Sequence, residues 1–121
     1  MVKYTYNRQP LDLIPGTASI TDGGSSTILD MSDTSTWGGR IAVFETLEIV
    51  NTGGATATVT LNDGTNDYRT VTVATGETED IAPEVVTVGK KLIISVSGSN
   101  VTVNYKYALL PHEMVIEVKT E

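Results

Sequence analysis

The chain has 121 residues, 8 basic against 15 acidic side chains, a net charge of −7, one His and no Cys. That length makes one domain whose core can do without disulfides. The charge opposes binding to a phosphate backbone, so no nucleic-acid partner is expected. A single His excludes a multi-His metal site or a His-paired dyad, and no apolar run approaches the roughly 20 residues that cross a membrane.

From Met1 to about Thr36 the pattern is irregular. Val2-Lys3-Tyr4-Thr5-Tyr6 alternates like a short strand, then Pro10 and Pro15-Gly16 interrupt regular structure. Leu11, Leu13 and Ile14 are apolar without a sustained period. Residues 1–16 are read as an extended N-terminal arm and residues 17–121 as the folded domain. The competing reading makes Val2 to Tyr6 an edge strand of that same domain. The start MVKYTYNRQP has no apolar core of a signal peptide, so the chain is expected to be made in the cytoplasm unless a precursor segment has been removed. Ala18 to Thr21 and Thr27 to Met31 suggest short strands around an Asp22-Gly23-Gly24-Ser25 turn.

Ser32 to Gly39 is a polar loop that holds Trp37, the only Trp. Its indole either packs at the end of the domain or in an interface, the favoured reading, or stacks on a ligand. Ile41 to Val50 alternates with Val43, Glu45, Leu47 and Ile49 on one face and Phe44, Thr46, Glu48 and Val50 on the other, before an Asn51-Thr52-Gly53-Gly54 stop. Ala55 to Asn62 and Asp67 to Thr75 alternate Val or Leu with Thr around the Asn62-Asp63-Gly64-Thr65-Asn66 turn. A turn at Gly76 to Asp80 and a short strand near Glu84 to Val88 follow. Val88 to Tyr107 then reads as two strands forming a hairpin through Ser97-Gly98-Ser99-Asn100. Met114 to Lys119 reads as a last strand.

Short strands at regular spacing with Gly-, Asn- and Asp-rich turns predict an all-β fold, an antiparallel β-sandwich of jelly-roll or Ig-like type. The expected core is Leu47, Ile49, Val59, Leu61, Val71, Val73, Leu92, Ile94, Val96, Val101, Val103 and Tyr105. No G-x-S-x-G, P-loop or G-x-G-x-x-G motif occurs, and the acidic residues fall on turns and outer faces with ordinary pKa values. The oxygens of Asn62 to Asp67 could serve Ca²⁺, but the distal Glu of an EF-hand is missing and turn chemistry suffices. His112 and Glu113 are read as a solvated corner. No catalytic residue, metal or cofactor is assigned, and the chain is not expected to be an enzyme.

The turn and strand sequence of Phe44 to Leu109 resembles small β-sandwich virion proteins of tailed phages. The resemblance rests on Glu48-Ile49-Val50-Asn51-Thr52-Gly53, on Ala55 to Leu61, on Thr75-Gly76-Glu77-Thr78, on Val86-Thr87-Val88-Gly89-Lys90-Lys91-Leu92 and on Ile94 to Val103. It covers about half of the chain and contains no catalytic motif. It implies a viral structural protein that binds a head lattice as a decoration (cement) protein, carried on the virion. Its partners would be the major capsid protein or another virion protein, and further copies of itself. A tail- or fibre-associated carbohydrate-binding or host-adhesion module, with Trp37 or the tyrosines as its platform, is the alternative. The expected interface residues are Val2, Tyr4, Tyr6, Leu11, Leu13, Ile14 and Trp37.

Overall fold

The structure, a computed structural model, describes residues 13–111. Nine strands and one helical turn run in the order β1 (Ile14–Ile20), β2 (Ser25–Asp30), α1 (Thr34–Trp37), β3 (Arg40–Asn51), β4 (Ala57–Asn62), β5 (Asp67–Val73), β6 (Thr78–Asp80), β7 (Glu84–Thr87), β8 (Lys91–Ser97) and β9 (Val101–Pro111). Two antiparallel sheets face each other. One has the order β1-β9-β3-β6 with β7 also on β3, and the other β2-β8-β4-β5.

The ladders are nested. β4 pairs with β5, β3 with β6 and β7, β2 with β8, and β1 with β9. This is one long antiparallel hairpin rolled up until β3 also meets β9 and β4 also meets β8. Of the two sandwich topologies left open by the sequence, this winding is the jelly roll. β6 and β7 act as one interrupted edge strand along β3.

The rolled topology overturns the hairpin read over Val88 to Tyr107. Both strands form, but β8 lies in one sheet and β9 in the other. The segment Ser97 to Asn100 is therefore an arch across the core. Period-2 alternation says which face of a strand is apolar, and two strands that face the same core from opposite sheets look just like a hairpin pair. Side chains fix the arch. The Gly98 N–H donates to the Asp22 carboxylate at 2.7 Å, and the Ser99 hydroxyl donates to Asn51 Oδ1 at 2.9 Å. Gly98 has φ +94°, and a Cβ there would meet the Thr56 carbonyl oxygen, so glycine is required.

A second correction concerns β3. A bulge between Phe44 and Thr46 inserts Glu45 as an extra residue, which resets the alternation. Ala42 and Phe44 therefore point into the core together with Leu47 and Ile49, whereas Val43 points outward. Of the expected core, Val71 and Tyr105 are only half-buried against it, and the other ten residues are buried. Met31, Ile28, Leu29 and Val86 complete the packing.

The ladder between β1 and β9 begins at Ile14, opposite Tyr107. Ile14, Pro15 and Gly16, read as the end of the arm, thus belong to the sheet. Gly16 is needed there, because a side chain would run into the Tyr105 ring lying across it. The ordinary pKa values expected of the surface carboxylates also fail at three turns. Asp30 is held low by hydrogen bonds from Ser32, Asp33 by Ser35 and Thr36, and Asp63 by the backbone N–H groups of Asn66 and Thr65.

Candidate functional site

The outer surface of the β1-β9-β3-β7 sheet divides into two unlike halves. Toward one end the outward positions are mostly polar, with Ser19, Thr17, Thr102, Asn104, Lys106, Thr46 and Glu48 surrounding Val50, and the Thr17 hydroxyl donates to Asn104 Oδ1 at 2.9 Å. Toward the other end they are apolar. Leu110 stands opposite Ile41, and Ala108 opposite Val43, which in turn faces Val85 of β7.

Ile41, Ala108 and Leu110 are only 2%, 4% and 5% exposed although they point away from the core, and Leu13 and Val43 pack on them. They form a second apolar cluster separate from the main core. The local cause is plain in the strands: below the bulge, β3 reads Ile41-Ala42-Val43-Phe44, apolar on both faces, and β9 does the same over Ala108-Leu109-Leu110. A strand that is apolar on both faces belongs in a sheet covered on both sides. At the rim of this half-face Val85 is 46% exposed. Ile14 is 39% exposed at the start of the edge strand β1, but it stands opposite Tyr107 and so belongs to the other face of the sheet.

Around the sheet edge lies a cleft of about 220 Å³, lined by Asp63, Tyr68, Val85, Val86, Thr87, Lys90 and Lys91. Its aromatic wall comes from a bulge. Leu61 pairs with Arg69 and Asn62 with Asp67, so Tyr68 is the unpaired residue that is turned toward the cleft. Burial, then the neighbouring Glu84 carboxylate, pushes the Tyr68 phenol up to about 12, so it stays protonated and able to donate a hydrogen bond. Arg69 beside it donates to the Ile81 carbonyl at 3.1 Å and meets Glu84 Oε1 at 3.4 Å, which ties β5 to the β6–β7 edge. A second hollow of about 150 Å³ adjoins through Thr87, lined also by Gly39, Arg40, Ile41 and Val88.

The structure distributes the expected interface residues unevenly. Leu13 sits in the outer apolar cluster, and Ile14 stands on the opposite face of the sheet beside Tyr107. Trp37 is half-buried against the main core, carried by the single helical turn that the Asp33 side chain caps through the Ser35 N–H. Val2, Tyr4, Tyr6 and Leu11 lie outside the described residues, as do the strand expected at Met114 to Lys119 and the His112-Glu113 corner. Ile41, Val85, Ala108, Leu110 and Tyr68 were not singled out from sequence. The doubled apolar character of residues 41–44 and 108–110 was the available signal.

The Asn62 to Asp67 loop uses its own oxygens. The Asp63 carboxylate accepts from the Thr65 and Asn66 N–H groups at 2.9 and 2.8 Å, and Asn62 Oδ1 accepts from Gly64 N–H at 2.7 Å. Asn62 Nδ2 donates to Asp67 at 2.8 Å. Among the described residues no three His, Cys, Asp or Glu side chains gather as a metal site, and no helix is long and apolar enough to cross a membrane.

No protein family matches the chain, and no curated protein does. Among solved structures, the chain is similar to one described as "Bacillus endospore appendages form a novel family of disulfide-linked pili". The identity is 13%, with 84% of this chain and 88% of that one covered, at a TM-score of 0.43.

Proposed function

We propose that this chain is a non-enzymatic structural subunit that attaches to a repeating protein lattice. Its specific form, suggested by the resemblance in turn and strand sequence, is a head-decoration protein of a tailed-phage particle. The observation that carries the reading is the divided outer face: one half of a sheet is largely polar, as a solvated surface should be, and the other is apolar, with Val43 half-buried and Val85 46% exposed at its rim. Ile41, Ala108 and Leu110 are buried beneath it, so Val43 and Val85, which face each other across β3 and β7, are what this half offers a protein partner.

The mechanism is area on a rigid platform. The jelly roll presents the half-face without needing to reorganise, so little conformational entropy is lost there on binding. The chain preceding Leu13 starts at the patch and adds length that can lie on a neighbour, with main-chain pairing for affinity and Tyr4 and Tyr6 as anchors. Reinforcement follows because each bound copy must be removed before the lattice beneath it can open.

The test uses heads of the encoding phage, stripped of accessory proteins and mixed with the full purified chain. The chain should cosediment at a saturating ratio to the capsid subunits and raise the temperature at which the heads release DNA. Val43→Asp should abolish the cosedimentation while the chain stays folded by circular dichroism. A chain that leaves the heads unbound at micromolar concentration overturns the assignment.

A further inference from the structure

β7 is an edge strand with one ladder partner, β3, among the described residues; on its other side the Thr87 carbonyl accepts from the Lys90 N–H, and no described strand pairs with the rest. Three independent features converge on that side. The cleft of about 220 Å³ runs past Val85, Val86 and Thr87, and Tyr68 is turned toward it by a bulge. Two of the three exposed large hydrophobics of the described residues, Tyr68 and Val85, stand together there. In a chain of net charge −7, Lys90 and Lys91 line this cleft and Arg40 the adjoining hollow. Both lysines are weakly held, with Asp63 at 3.9 Å and Asp30 at 3.8 Å across half-exposed pairs. An extended strand with an apolar face and acidic side chains fits these features.

The chain contains such a sequence. Residues 112–121, HEMVIEVKTE, alternate Met114, Ile116 and Val118 with Val115, Glu117 and Lys119, and carry three Glu against one Lys. We propose that residues 112–121 of a second copy add as a strand to the free edge of β7, with apolar side chains against Tyr68 and Val85 and glutamates near Lys90 and Lys91. This rests on the assembly reading above and names one contact within it.

Path length favours a second copy over the same chain. Pro111 stands opposite Arg40 and Thr87 opposite Ile41, so both lie at one end of the sheet. To reach the free edge of its own β7, the segment must pass β3 and β7, three strand spacings or about 14 Å. It must also round the Val88–Lys90 turn, where the Lys90 N–H bonds the Thr87 carbonyl at 3.1 Å. Pairing four residues takes about 13 Å more, out of about 33 Å of extended chain. Only about 6 Å of extended chain is then left to round that turn. A neighbour's segment meets no such limit, and each copy both gives and receives, so the contact repeats head to tail.

The absence of Cys makes the test clean. In the full chain, Val85→Cys is paired in turn with Ile116→Cys and Glu117→Cys, which sample both faces of the added strand. Oxidation should give disulfide-linked dimers and longer ladders on a non-reducing gel, with the 85–116 or 85–117 peptide identified by mass. A bond within one chain overturns the proposal, and so does failure of both pairs to link. By sedimentation velocity, Lys90→Glu with Lys91→Glu should weaken self-association at least tenfold, and adding Glu113→Lys with Glu117→Lys should restore it. Unchanged association in the first variant, or no recovery in the second, overturns it too. Head binding without the cross-link removes this contact alone, whereas the cross-link without head binding removes the lattice assignment alone.

Discussion

Asn51 shows what a single residue does in this fold. It is 4% exposed, yet every polar atom of its amide is used: Nδ2 donates to the Ala55 and Val73 carbonyls at 2.7 and 2.9 Å, and Oδ1 accepts from the Gly53 N–H at 3.0 Å and the Ser99 hydroxyl. One side chain thus joins the end of β3, the loop to β4, the end of β5 and the arch between β8 and β9. Asn51→Leu keeps the branched shape and orphans four groups, so it should cost on the order of 3 kcal/mol in urea unfolding. A loss below about 1 kcal/mol would mean that solvent reaches those groups. The sequence showed Asn51 as a turn signal, because Asn-Thr-Gly has turn chemistry. Its burial was illegible, since it depends on strands 22 and 48 residues away.

The surface carboxylates act on stability through pH. Asp30, Asp33 and Asp63 each have a folded pKa below the usual 3.8, mainly through hydrogen bonds to their ionised form. A depressed folded pKa contributes stability that is present above the unfolded value and lost as pH falls through the folded one. The melting temperature should therefore hold from pH 7 to about 4 and decline below it. Asp33→Asn combined with Asp63→Asn should flatten that decline; an equally steep decline in the double variant would place its cause in other groups.

At the scale of elements, the strands were legible and their partners were not. Thr58, Thr60, Thr70 and Thr72 against Val59, Leu61, Val71 and Val73 announced β4 and β5, and the Asn-Asp-Gly turn announced their pairing, because that pairing is local. β8 and β9 are just as clear in their alternation but pair with β2, β4, β1 and β3, none of which follows from a neighbouring turn. Bulges defeat alternation outright. Glu45 moves Phe44 to the face of Leu47, and the unpaired Tyr68 lies next to Arg69 in a strand whose residues 67–70 are exposed. The same topology predicts a hydrogen-exchange order. Amides of β3, β4, β8 and β9, which are flanked on both sides, should exchange slowest, and those of β5 and β6 fastest. In dilute protein, alternate amides of β7 should exchange freely. Protection of every β7 amide at high concentration, lost on dilution, would show directly that its outer edge gains a strand by association.

For the whole molecule, the decisive question is where the folded unit begins. β1 makes seven ladder pairs with β9, from Ile14 opposite Tyr107 to Ile20 opposite Val101. Leu13 closes the outer apolar cluster, and Gly16 lies under the Tyr105 ring. That ring and Tyr107 pack on Phe44 with centroids 5.8 and 5.0 Å away, so the start of β1 covers the aromatic corner of the core. Two truncations separate the platform from whatever precedes it. Removing residues 1–12 keeps all seven pairs and Leu13, so the melting temperature should fall by no more than a few degrees, while attachment to heads or self-association weakens. Removing residues 1–16 deletes three pairs and strips cover from Tyr105 and Tyr107, and it should cost several degrees more. A collapse of folding after the first truncation would put Val2 to Tyr6 into the sandwich as a strand of its own. Full attachment after it would place the lattice contact on the outer half-face around Val43 and Val85, without help from the segment before it.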